Sequence, residues 1–233
     1  MKRIAIITAR GGSKRIPRKN ILPFLGKPIV AYSIQAALDC GKFDEVMVST
    51  DDEEIAQIAR DCGASVPFMR SEATSNDFAG TDDVLFEVLD EYEKRGQTFD
   101  IVCCIYPTAP FITAQKLEGA LQKLESSSAD TLLPVVRFSY PPQRALVADG
   151  DMLVFKYPEH MNSRSQDLEP HFHDVGQFYM MKVDKYRINR GIMKGSIVPY
   201  ELSELEVQDI DNMSDWQIAE IKYSHMLDAA SRE

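Results

Sequence analysis

Arg3-Ile4-Ala5-Ile6-Ile7-Thr8-Ala9 runs without a break into Arg10-Gly11-Gly12-Ser13-Lys14-Arg15-Ile16-Pro17-Arg18-Lys19-Asn20. The first stretch is apolar almost throughout and does not alternate, the pattern of a strand covered on both faces of a sheet. The loop after it carries two glycines and five cations. In open α/β sheets ligands bind beyond the carboxyl ends of the strands. Small residues there let backbone N–H groups approach an anion, and Arg and Lys supply the charge. Working outward, the same rhythm repeats. Pro28 opens a helix that ends near Gly41; Glu45–Ser49 reads as a strand, Asp52–Cys62 as a helix closed by Gly63, and Ser65–Phe68 as a short strand. Gly80–Arg95 and Thr113–Glu125 have helical periodicity, while Asp100–Tyr106 and Asp130–Val136 read as strands. The alternation predicts an α/β fold, an open mostly parallel sheet with helices on both faces. It breaks at Arg137, where Pro141-Pro142, Gly150, Pro158 and Pro170 punctuate short β-like pieces at 152–156 and 177–181. Strands near 196–199 and 206–210 and a helix over 213–227 then follow. The expected division is an α/β domain from residues 1–137 and 183–233, with 138–182 as a small projecting segment.

A chain of 233 residues fits one such domain with an appendage. With 44% hydrophobic and 27% charged residues it is too apolar to be disordered. Runs such as Ile4–Thr8 are far short of the roughly 20 residues of a membrane helix. The first strand meets a basic loop without a small-residue cleavage site, so neither a membrane span nor a secretory leader is expected. Cys40, Cys62, Cys103 and Cys104 lack paired metal spacing and read as reduced thiols in a cytoplasmic protein. The net charge of −10 argues against nucleic acid or an anionic membrane as partner. Yet the first 38 residues hold Lys2, Arg3, Arg10, Lys14, Arg15, Arg18, Lys19 and Lys27 and no acid. A basic island in an acidic chain predicts a local site for a multivalent anion; a merely solvated basic face is the alternative.

Neither standard phosphate motif, G-x-x-x-x-G-K-[ST] or G-x-G-x-x-G, is present. Asp209 and Asp211 stand two apart in a strand-like stretch. That would place both carboxylates on one face, roughly 6.6–6.8 Å apart, a spacing that suits a shared Mg2+. The alternative is that Asp211 caps the helix entering at Met213. Asp52 reads as the N-cap of the helix that follows it. His171 and His173 lack a third soft ligand and read as surface or packing residues.

Arg10-Gly11-Gly12-Ser13-Lys14 with Pro17, Lys19 and Asn20 resembles the signature of the CMP-sialic acid synthetase-like cytidylyltransferases, which activate 3-deoxy-2-keto sugar acids with CTP. Leu25-Gly26-Lys27-Pro28, Val48-Ser49-Thr50-Asp51-Asp52, the Arg70–Thr81 loop, Tyr106-Pro107-Thr108-Ala109-Pro110 and Gln208-Asp209-Ile210-Asp211 fall in the family's order, so the likeness spans about residues 2–225. Arg164-Ser165-Gln166-Asp167-Leu168-Glu169-Pro170 followed by His173-Asp174-Val175-Gly176-Gln177-Phe178-Tyr179 looks like the branch acting on pseudaminic acid. The sialic acid branch usually has Gln-Pro-Thr-Ser-Pro at 106–110, Asn in place of Asp ahead of Gly176, and Gly at position 15. The resemblance implies a Rossmann-like nucleotidyltransferase fold and transfer of CMP from CTP to pseudaminic acid with release of pyrophosphate. Legionaminic, sialic or octulosonic acid as acceptor, or a non-catalytic regulator that binds sugar nucleotides, are the alternatives. It further implies that Lys19, Arg10 and Asp211 are catalytic, and that Arg10, Gly11, Ser13, Lys14, Lys19, Asn20, Arg70 and Thr81 hold the nucleotide. Arg164, Gln166, Asp174, Gln177 and Tyr179 would hold the sugar, and Asp209 and Asp211 would hold Mg2+ or another divalent cation. Arg15 and Arg18 are expected to face solvent. The family also implies a homodimer whose 138–182 projection completes the partner's sugar site; an interface that touches no ligand is the alternative.

Overall fold

Ile4 and Ile6 turn to one face of a central sheet and Ala5 and Ile7 to the other, and all four are fully buried. The computed structural model describes residues 1–230; the last three positions of the expected 183–233 segment lie outside the described residues. The chain runs β1 (Arg3–Thr8), β2 (Pro23–Phe24), β3 (Lys27–Pro28), α1 (Ile29–Cys40), β4 (Glu45–Ser49), α2 (Glu53–Asp61), α3 (Glu72–Ser75) and α4 (Thr81–Lys94). It continues through β5 (Ile101–Ile105), α5 (Ala114–Ser126), β6 (Thr131–Arg137), β7 (Leu146–Asp149), β8 (Met152–Phe155), β9 (Phe172–Asp174), β10 (Phe178–Lys182), α6 (Val183–Asn189), β11 (Ile197–Glu201) and α7 (Met213–Ala230).

The main sheet has the order β11-β6-β10-β5-β1-β4, with β9 added beside β6. β4, β1 and β5 are mutually parallel, as are β6 and β11, while β10 runs antiparallel between β5 and β6. One face is covered by α1, α2 and α5 through Val30, Ile34, Ile55, Leu117 and Leu121. The other carries α4 and α6 through Leu85, Val88, Leu89 and Tyr186. Fully burying a large aliphatic side chain contributes ~1.5–3 kcal/mol. These two cores therefore fix the strand ends from which the site loops hang. Among the described residues no helix is long and apolar enough to cross a membrane.

Three expectations need correction. β10 belongs to the main sheet, so the excursion from it is residues 138–171, shorter than the expected 138–182 segment. Phe178, Tyr179, Met180 and Met181 are all buried, which only a strand covered on both faces achieves. No strand forms over 206–210; a short turn at Glu204–Glu206 is followed by extended chain that leaves the sheet edge and crosses to the first loop. Of 65–68, only Ser65 makes a bridge, to Met47.

A third core explains where that crossing chain ends. Phe24 meets Tyr32, Trp216 and Tyr223 edge-on at ring distances of 5.5, 5.4 and 5.7 Å. Ile16 from the basic loop and Ile210 from the crossing chain pack into the same cluster. Residues almost two hundred positions apart are thereby held side by side.

Candidate active site

A cleft of about 490 Å3 opens beyond the carboxyl ends of β1 and β5. Arg10, Ser13, Lys14, Lys19, Asn20, Arg70, Thr81 and Asp211 all line it. Asn20 is buried and donates from Nδ2 to the Arg10 carbonyl at 2.8 Å, so it closes the neck of the loop from within. Gly11 departs from expectation. Its N–H is committed to Asp51 Oδ1 at 2.9 Å rather than turned to the cleft. A Cβ at Gly11 would come within 2.8 Å of Asp52 Oδ2, so close packing requires the glycine.

Lys19 sits at the centre of the charge arrangement. Its Nζ donates to the Ile210 carbonyl at 2.6 Å, between Asp209 and Asp211. Burial pushes the Lys19 ammonium below its ordinary pKa, against the attraction of Asp211 and Asp209. Asp209 lies at the rim, open to solvent on one side. The protein packed behind it, and next the Asp211 charge, push its carboxyl above the ordinary range despite the pull of Lys19. Burial thus outweighs attraction at both groups, the state expected where a charged ligand completes the set. Asp211 Oδ1 accepts from Arg15 Nη2 at 2.6 Å, so Arg15 is not simply solvent-facing. Arg18 likewise bonds Asp52 and Glu54. The capping alternative for Asp211 fails, because Asn212 Oδ1 accepts from the N–H groups of Ser214 and Asp215 at the start of α7.

Among the described residues no cluster of three or more His, Cys, Asp or Glu side chains could hold a metal. Two hard carboxylates, one of them partly desolvated, still fit a Mg2+-like ion, which takes few protein ligands and completes its shell with water and phosphate. The fit requires Arg15 to release Asp211 and the two carboxylates, which line different hollows, to turn toward one another.

On the opposite wall, Arg70 is buried, and Nε and Nη2 donate to Ser49 Oγ and the Ser49 carbonyl at 3.0 and 2.6 Å. Burial brings its guanidinium down to about 10. Thr81, the first residue of α4, shares a 3.1 Å hydrogen bond with the Tyr106 hydroxyl. Among the lining residues without an expected role, Tyr106 and Asp77 matter most. Tyr106 stands within a family motif but had no role assigned. Asp77 bridges Arg10 at 3.2 Å and Lys14 at 2.5 Å, and no local pattern announces an acid from one loop neutralising another.

The predicted sugar residues divide. Tyr179 donates to Asp174 Oδ2 at 2.6 Å and meets Tyr106 edge-on at 5.6 Å. Asp174 and Gly176 line a second hollow of about 430 Å3, to which Asp209 and Lys222 also contribute. Gly176, at φ 60, is held by its N–H bond to Asp174 Oδ1. Gln177 is 1% exposed; Nε2 donates to the Glu206 carbonyl at 2.7 Å, and Oε1 is buried without a partner among the described residues. Arg164 and Gln166 are exposed on the excursion, with Gln166 lining a separate hollow beside Phe138 and Glu204. Within one chain these two are not brought to the cleft.

An α/β sheet with a cationic loop, an acidic pair and a cleft beside them is an arrangement suited to nucleotidyl transfer. The sequence matches the cytidylyltransferase family over residues 4–186, and the chain belongs to that family. It is 41% identical over 224 residues to a pseudaminic acid cytidylyltransferase of Campylobacter jejuni, covering 96% of this chain and 97% of that one. It is 32% identical over 232 residues to a CMP-N,N'-diacetyllegionaminic acid synthase of Legionella pneumophila, covering 94% and 95%. Among solved structures, a CMP:2-keto-3-deoxy-manno-octonic acid synthetase complexed with CTP superposes with a TM-score of 0.71 at 20% identity, over 97% of this chain and all of that one.

Proposed function

We propose that this cytidylyltransferase transfers CMP from CTP to pseudaminic acid and releases pyrophosphate. The observation that carries the reading is the Lys19–Ile210 bond across 191 residues. It joins the cationic loop to the acidic pair, with Asp211 facing the first cleft and Asp209 the second hollow. The triphosphate belongs in the first cleft on Arg10, Ser13, Lys14 and Lys19. The acceptor belongs in the second, against Asp174, Gly176 and Lys222, with Tyr179 buried behind Asp174. The C2 hydroxyl of the acceptor then attacks the α-phosphorus, the bond to the β-phosphate oxygen breaks, and charge builds on the departing pyrophosphate. Fixed cations in a partly desolvated cleft stabilise that charge, and holding the two substrates in adjoining hollows supplies the orientation. Mg2+ or another divalent cation on Asp209 and Asp211 would polarise the phosphoryl oxygens. Arg70, braced by Ser49, is proposed to read the cytosine carbonyl with the rest of its fork, and the backbone of 77–81 to accept from the cytosine amine.

The branch assignment rests on the 41% identity to a pseudaminic acid enzyme across nearly the whole chain. A homodimer is part of the proposal. The β7–β8 hairpin exposes Met152 and Leu153 at 72% and 68%, with Leu146, Val147 and Val154 beside them. A partner covering that face would bring Arg164 and Gln166 toward the neighbouring chain's site. Four unpaired thiols and a nucleotide triphosphate substrate support a cytoplasmic setting. A pyrophosphate-release panel of four nucleotides against pseudaminic, legionaminic, N-acetylneuraminic and octulosonic acids tests the reading. Turnover should be confined to CTP with pseudaminic acid. Preference for UTP removes the cytidylyl assignment, and equal use of N-acetylneuraminic acid removes the branch.

A further inference from the structure

A loop that grips a triphosphate must hold one shape, and residues 10–20 are pinned at both ends from outside. Asp51 takes the Gly11 N–H at the start. At the far end Arg18 adopts the left-handed conformation, φ 58, uncommon for a residue with a side chain. It immediately precedes the short turn Lys19–Ile21 that delivers Lys19 and Asn20 to the cleft. A strained residue persists only where its surroundings over-determine it. Here the surroundings are carboxylates. Asp52 accepts from both terminal nitrogens of Arg18, with Nη2 to Oδ1 at 3.1 Å, and Glu54 accepts on the outer side. Asp52 itself has a rigid mount. Its Oδ1 accepts from the Ile55 N–H at 3.0 Å as the N-cap of α2, and its N–H donates to Thr50 Oγ1 at 3.2 Å. Its Oδ2 also fills the space that a Cβ on Gly11 would need. One carboxylate therefore touches the loop at its first glycine and at its last arginine.

We infer that Asp52 is a positioning residue for nucleotide binding, acting through Arg18 to hold the turn that aims Lys19 and Asn20 at the triphosphate. Arg18 is thereby withheld from the anion: of the five loop cations, Arg10, Lys14 and Lys19 are left for the ligand, Arg15 bonds Asp211, and Arg18 shapes the loop. The inference rests on the proposed reading that this loop holds CTP.

Asp52→Ser keeps an N-cap of comparable strength and removes the pair; Arg18→Gln removes it from the other side without disturbing α2. CTP affinity by calorimetry with Mg2+ present, steady-state kinetics and melting temperature are measured for both variants and the double variant. Each single change should raise Kd and KM for CTP about tenfold, the scale of one charge-assisted contact. The acceptor KM and melting temperature should stay near wild type. The double variant should be no worse than Arg18→Gln alone, since that change already removes the contacts to both Asp52 and Glu54. Unchanged CTP affinity in Asp52→Ser and Arg18→Gln overturns the inference, as do additive losses in the double variant. If the wild type binds no CTP, the nucleotide reading falls and this inference with it. If the wild type binds and the variants bind equally well, only the positioning role falls.

Discussion

Lys19→Met removes two things at once: the ammonium for the triphosphate, and the 2.6 Å bond that holds the Ile210 carbonyl between Asp209 and Asp211. The methionine keeps an unbranched stem of similar reach, so packing against the loop survives. Losing a hydrogen bond to a charged group costs ~1.5–3 kcal/mol, which is about a 10- to 150-fold loss in kcat/KM. Melting temperature should move little. The lost bond is offset because a half-buried ammonium, held below its ordinary pKa by burial, no longer has to be desolvated. The assay is pyrophosphate release over a range of CTP, with the melting curve measured beside it. A pH profile adds an independent sign. Because the folded pKa of Lys19 is lowered, its proton leaves at a lower pH than that of a free lysine. The alkaline limb of kcat/KM, which reports the unliganded enzyme, should therefore fall early, and Lys19→Arg should move it upward. Stability follows the opposite course. The folded chain binds fewer protons than the unfolded one between the lowered value and 10.5, so wild type gains stability relative to Lys19→Met as pH rises through that window. A Lys19→Met enzyme with wild-type kcat/KM would refute the role assigned to this residue.

Chelation should abolish turnover and added Mg2+ restore it, and Asp211→Asn should raise the Mg2+ concentration needed. Trp216, the one tryptophan of the chain, packs in one cluster with Ile210, the residue between Asp209 and Asp211, so its fluorescence is the readout of metal binding without activity, and superimposable titrations for wild type and variant would remove Asp211 from the metal site. Asp77→Asn should tighten binding of pyrophosphate and CTP by about two- to threefold, the modest scale of an exposed pair. Its carboxylate occupies Arg10 and Lys14, where the phosphates are expected; weaker binding in the variant would mean that Asp77 supports the loop instead.

Local pattern carried much of this reading. An unbroken apolar run marks a strand covered on both sides, and β1, β5 and β6 follow from it. The spacing of Asp52 ahead of Glu53 and Ile55 marks a helix cap, and the cap is there. The same signal was present in Phe178-Tyr179-Met180-Met181, yet the surrounding prolines and glycines drew that strand into the projection. Nothing local says that the chain returns antiparallel between two parallel strands. The stretch at 206–210 misled in the other direction. Its alternation suits a strand, but β11 forms the sheet edge and the stretch finds no partner there.

By itself the sequence determined the strands β1, β5 and β6 and the cationic loop, since these are written in short-range periodicity, small residues and clustered charge; the place of β10 in the sheet was not. Only the tertiary structure decided which charges meet. Ile16 and Ile210 enter one aromatic cluster, and that packing sets Lys19 between two aspartates and Arg15 on Asp211, while the packing of α2 on the sheet brings Asp52 to Arg18. Apolar burial has no direction along the chain, so such partners, far apart in sequence, cannot be found from spacing. They are fixed when the three cores close and leave each charged group with the one neighbour it can reach.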